Sequence, residues 1–107
     1  MKKIGLALGA GGAKGLAHIG VLQVFIEHKI PIHLLSGTSI GAIIAAAFAA
    51  GADPYLMDKL ARNINNSFIV DVTVPRLGLL KGDKAMEIIR LLTHQKTFEQ
   101  LDIPLAV

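Results

Sequence analysis

Two kinds of apolar run alternate along this chain. Ile4-Gly5-Leu6-Ala7-Leu8 is short, continuous and closed by glycines, which predicts a buried strand. Beyond a glycine-rich stretch, Leu16, Ile19, Leu22 and Ile26 recur at spacings of three and four. That is one face of a helix running to about Glu27 or His28. Pro31 closes the connection, and Ile32–Ser36 predicts a second strand. Ile40 to about Ala50 is apolar nearly all round, as in a helix buried on most sides, and Gly51 stands where a C-terminal cap is wanted. Asp53-Pro54 predicts the start of a third helix, because aspartate caps and proline fits the first helical position. Leu56, Met57, Leu60 and Ile64 supply its apolar face.

The second half is less regular. Phe68–Val74 has the composition of a strand but lies between Asn65-Asn66 and Pro75, and Leu77–Gly82 reads as a loop. Asp83 is placed to cap a helix from Lys84 to about Thr93, with Met86, Ile89 and Leu92 or Leu91 turned inward. Thr97-Phe98-Glu99-Gln100 fits a capping box, and Ile103–Val107 reads as the start of another strand. Strand and helix in alternation predict an α/β parallel-sheet layer fold with helices on both faces. No repeat or low-complexity linker divides the chain, so residues 1–107 read as part of a single domain, broken off after Val107 as the last strand enters its sheet.

Composition narrows the function classes. The chain is 52% hydrophobic and only 18% charged, which excludes a disordered charged tail. Its formal net charge is +3, but the basic residues are scattered and only Lys2-Lys3 are adjacent. A nucleic-acid partner is not expected, since such surfaces carry denser basic stripes. Cys is absent, which excludes disulfides, thiolate metal sites and a Cys nucleophile and fits a cytoplasmic setting. The run after Lys3 is too short and glycine-broken for a signal peptide, and Ile40–Ala50 is too short to span a bilayer.

Two segments carry chemistry. Gly37-Thr38-Ser39-Ile40-Gly41 has the G-x-S-x-G form and sits between a predicted strand and a predicted helix. In that context Ser39 occupies a sharp turn, glycines on both sides relieve crowding, and the hydroxyl stands exposed at a helix N-terminus. The second segment, Gly9-Ala10-Gly11-Gly12-Ala13-Lys14-Gly15, follows the first strand and opens the first helix. Its backbone N–H groups suit either a nucleotide phosphate or the oxyanion of acyl transfer. A dinucleotide site wants an acidic residue at the end of the second strand, and a P-loop wants Gly-Lys-Ser/Thr. Neither is present, whereas a serine elbow stands at the second strand's end.

Together with Gly15-Leu16-Ala17-His18-Ile19-Gly20-Val21-Leu22, these two segments resemble the patatin-like phospholipases, and the chain is most similar to the short bacterial members. Gly78-Leu79-Leu80-Lys81-Gly82 is also similar to them. The resemblance implies the N-terminal portion of one patatin-like domain that hydrolyses lipid acyl esters through a Ser–Asp dyad without cofactor or metal. Ser39 maps onto the nucleophile, and Gly11 and Gly12 onto the oxyanion loop. The family's aspartate lies in a downstream Asp-Gly pair that this sequence does not contain, so the base is expected beyond Val107 and the chain alone is expected to be inactive. Lys14 stands where family members often carry Arg; it keeps the charge, without the planar fork, and is a candidate contact for an anionic group on the substrate. Lipid or acyl ester is the expected partner, with at most peripheral contact with a membrane. Oligomeric state is not legible in the sequence.

The remaining titratable residues have plainer readings. Asp53, Asp58, Asp71, Asp83 and Asp102 suit caps or solvated positions, and His28 and His94 fall near helix C-termini. His18, a few residues past the glycine loop, is near enough to approach the site as an alternative base but reads first as a locally hydrogen-bonded helix residue, and His33 lies in the second strand segment. The histidines show no metal-ligand spacing. The rival function is a nucleotide- or anion-binding α/β module in which Ser39 is structural; dinucleotide binding without covalent labelling would mark it.

Overall fold

A computed structural model of the chain describes residues 2–63 and 82–107. Three parallel strands, β1 (Gly5–Leu8), β2 (Leu34–Gly37) and β3 (Leu105–Ala106), form one sheet in the order β1-β2-β3. Leu6 pairs with Leu35 and Leu8 with Gly37, while Leu35 also pairs with Leu105. The proposed strand at 68–74, the Gly78–Lys81 similarity and Asp71 lie outside the described residues.

The helices are α1 (Ala17–Glu27), α2 (Ile40–Ala49), α3 (Pro54–Asn63) and α4 (Gly82–Thr93). Since α4 begins at Gly82, Asp83 lies within the helix and does not precede it as a cap. The glycine loop continues into a 3-10 turn, Gly12–Leu16, which leads directly into α1. A second such turn, Phe98–Gln100, is closed by the expected capping box, with the Thr97 amide donating to Gln100 Oε1 at 2.9 Å.

A single apolar cluster holds these parts together. Leu8 and Leu35 from the sheet, Ile19 and Leu22 from α1, Ile40, Ile44, Ala45, Ala47 and Ala49 from α2, and Met57 from α3 are all buried in it. Its centre is α2, which packs across all three strands. Small side chains along α2 permit that close approach. Among the described residues the opposite sheet face, carrying Gly5, Ala7, Leu34 and Ser36, is open, and Leu34 is 52% exposed.

The C-terminal end of α2 and the start of α3 are set by local chemistry. Gly51 (φ 104°) follows α2, with its amide bonded to Phe48 O at 3.0 Å and the Ala52 amide bonded to Ala47 O at 2.9 Å. These paired bonds form a Schellman closure. The Ala50 carbonyl receives Lys96 Nζ at 3.0 Å, so a cation meets the negative end of the helix. Asp53 Oδ1 accepts the Tyr55 amide at 2.9 Å and so caps α3, as the Asp-Pro pair predicts. Here α3 leans on α1, with Tyr55 donating its hydroxyl to Glu27 Oε1 at 2.7 Å; that bond raises the Tyr55 pKa.

Candidate active site

Ser39 stands between β2 and α2 as the residue preceding the helix. Its backbone has φ 57° and ψ −126°, a left-handed conformation that L side chains rarely adopt. Its side chain is exposed and makes no capping bond to the helix. A serine serving only to pack or to cap would need neither feature. Strain at an exposed hydroxyl on a strand-to-helix turn is the geometry of a nucleophile elbow.

The flanking glycines of that turn answer to sterics. A Cβ on Gly37 would lie 2.5 Å from Gly41 O and 2.6 Å from Ala42 Cα. One on Gly41 would collide with Leu8 O and lie 2.6 Å from Gly9 O. Gly41 thus lets the first turn of α2 settle onto the end of β1. Thr38 adds a bond in the same place, its amide donating to Leu8 O at 3.0 Å. Ile40, buried, turns its Cγ2 onto Gly15, where any Cβ would clash.

These contacts bring the two sequence motifs together. The glycine loop is held at its start, Gly9, against Gly41, and at its end, Gly15, against Ile40. Ser39 immediately precedes Ile40 and Gly41, the two residues that make those contacts. Within the loop Gly12 has φ 57° and Lys14 donates its amide to Gly11 O at 3.1 Å. The amides of Gly11, Gly12 and Ile40 donate to no acceptor among the described residues. Lys14 is exposed on the 3-10 turn and joins no ion pair among the described residues.

Other candidates are occupied elsewhere. Asp53 caps α3, Asp58 pairs with Arg62 at 3.2 Å, and Asp102 lies 3.7 Å from Lys96. His33 Nδ1 accepts the Ile4 amide at 2.9 Å, pinning the start of β1. Among the described residues no three acidic or histidine side chains gather as a metal would require. No described helix is long and apolar enough to cross a membrane. Sequence reasoning missed the free Ile40 amide and the acceptor of His18. The imidazole of His18 spans the loop, with Nε2 2.8 Å from Gly9 O. Only the position of His18 two residues past the 3-10 turn hints at that contact.

The fold and the site define an α/β protein with a parallel sheet and a positive-φ serine on a strand-to-helix turn that packs beside a glycine loop. Within that class the chain belongs to the patatin-like phospholipase family, whose model matches residues 6–106. It is 54% identical over 87 residues to the lysophospholipase NTE1 of Coccidioides immitis, covering 76% of this chain and 6% of that protein. To an NTE family protein of Mycobacterium bovis it is 33% identical over 108 residues, covering 95% of this chain and 29% of the relative. Among solved structures it resembles the type III effector protein ExoU, with a TM-score of 0.67 and 26% identity over 87% of this chain and 23% of that one. The chain therefore spans under a third of the length of these relatives.

Proposed function

We propose that residues 1–107 form the N-terminal part of one patatin-like phospholipase domain and carry the nucleophile and oxyanion donors of a serine acyl hydrolase acting on lipid acyl esters. The observation that carries this reading is Ser39, strained and exposed on the turn whose next two residues, Ile40 and Gly41, pack against Gly15 and Gly9 of the glycine loop. Ser39 Oγ attacks the ester carbonyl, and its proton passes to an aspartate that lies outside this chain. The carbonyl oxygen becomes an oxyanion and takes hydrogen bonds from the Gly11 and Gly12 amides. Collapse of the tetrahedral intermediate breaks the ester C–O bond, and the aspartate returns the proton to the leaving alcohol. Water, deprotonated by the same aspartate, then attacks the acyl-serine and frees the fatty acid and the Ser39 hydroxyl.

Family membership and the relatives named as lysophospholipases favour a lipid substrate. Lys14, exposed beside the loop, suits the phosphate of such a substrate, and the lack of cysteine suits a cytoplasmic protein that meets lipid at a membrane surface. The full-length protein incubated with lysophosphatidylcholine is expected to release fatty acid and glycerophosphocholine in equal amounts, and Ser39→Ala is expected to release neither. Tight dinucleotide binding with no ester hydrolysed would overturn the reading in favour of an anion-binding module.

A further inference from the structure

The geometry points to His18 as a positioning residue that sets the oxyanion loop. His18 lies in the first turn of α1, and its Nε2 is 2.8 Å from Gly9 O. A carbonyl can only accept, so Nε2 carries the proton and donates it. This is the one described side-chain bond to the backbone of the loop. Gly9 O is also the oxygen against which Gly41 is packed, two residues past Ser39. One carbonyl thus joins α1, the loop and the first turn of α2.

The consequence follows from peptide geometry. The Gly9–Ala10 peptide is trans, so its C=O and N–H point in opposite directions. Fixing Gly9 O fixes the plane of the first peptide in the loop and the direction of the Ala10 amide. The chain then turns through Gly11 and Gly12, whose amides have no acceptor among the described residues. Glycines allow that turn but do not choose its conformation. Van der Waals contact with Gly41 limits how far Gly9 O can move inward, without directing it. The imidazole N–H supplies the direction. His18 acts through the loop and touches no reacting atom, so it is no general base.

This inference rests on the hydrolase reading, and its test separates the two. In the full-length protein, His18→Leu keeps the size of the side chain and removes the donor. His18→Gln returns an N–H at the distance of Nε2, and His18→Asn returns one too short to reach. With p-nitrophenyl butyrate, His18→Leu is expected to lower kcat by about 10- to 100-fold with KM changed by less than about twofold, because misplaced preorganised donors cost on that scale. His18→Gln is expected to recover most of the loss, and His18→Asn little of it. Amide hydrogen exchange at Ala10–Gly12 is expected to quicken in His18→Leu and return towards the parent rate in His18→Gln. Rates normalised to phosphonylated serine remove any contribution from misfolded protein. The inference is overturned if kcat in His18→Leu matches the parent, or if His18→Gln is no better than His18→Leu in both rate and exchange. Turnover surviving in Ser39→Ala would sink the hydrolase reading instead, and the exchange data would still decide whether His18 holds the loop.

Discussion

Replacing Ser39 with glycine is expected to make the protein more stable and inactive. At φ 57° and ψ −126°, Ser39 holds a conformation that costs a residue with a Cβ about 1–3 kcal/mol. Glycine adopts it without that cost, though it gives back about 0.5–1 kcal/mol through the greater freedom of its unfolded chain. No hydrogen bond from the Ser39 side chain to the helix is lost in the exchange. The net gain is about 1 kcal/mol, or a rise in Tm of about 2–8 °C depending on domain size. Ester turnover should vanish in the same variant, since no hydroxyl remains to attack. A melting curve and an esterase assay on the full-length protein check both halves. A lower Tm would show that the elbow stores no strain.

The largest loss of stability is expected from Gly41→Ala. The new methyl would be driven into Leu8 O and onto Gly9 O, both backbone atoms. Neither can swing aside as a side chain end would. Either α2 lifts from the sheet or the end of β1 shifts, and both moves disturb the cluster around the buried Leu8 and Ile44. A cost of about 3 kcal/mol or more is expected, at the upper end of overpacking effects. That is a large share of the roughly 5–15 kcal/mol that holds a typical domain together. Gly20→Ala is the matched control. Gly20 is exposed within α1, and a methyl there meets nothing within 4 Å. It should stabilise the protein by about 0.5–1 kcal/mol, because alanine suits a helix better than glycine. Denaturant midpoints of the two variants should move in opposite directions.

Much of this arrangement is legible in the sequence, for identifiable reasons. The strands announce themselves as short apolar runs, and α2 as a run of small apolar residues bounded by Ser39 and Gly51. Asp53-Pro54 marks the start of α3 because both residues act within their own turn. What the sequence hides depends on neighbours far along the chain. Periodicity predicts Ile26 and Leu56 on buried faces, yet they are 44% and 51% exposed, because a pattern reports which face is apolar and not how much of it is covered. The 3-10 turn at Gly12–Leu16 is hidden because Leu16 fits the helical spacing of Ile19 and Leu22 equally well. The serine elbow is readable from spacing alone, whereas its strain and its contact with Gly9 and Gly15 appear only once the strands are paired. His18 is the clearest instance: its first sequence reading places its bond within its own helix, whereas the acceptor is Gly9 O, nine residues back at the start of the loop.

One measurement bears most directly on the claim that Ser39 is an activated nucleophile. The sequence holds three serines, Ser36, Ser39 and Ser67. The full-length protein is treated with a fluorophosphonate and digested, and the peptides are read by mass spectrometry. A phosphonyl adduct on Ser39, absent from Ser36, Ser67 and any serine outside this chain and lost on prior unfolding, is the predicted result. An unmodified Ser39 in folded protein that still hydrolyses esters would contradict the account.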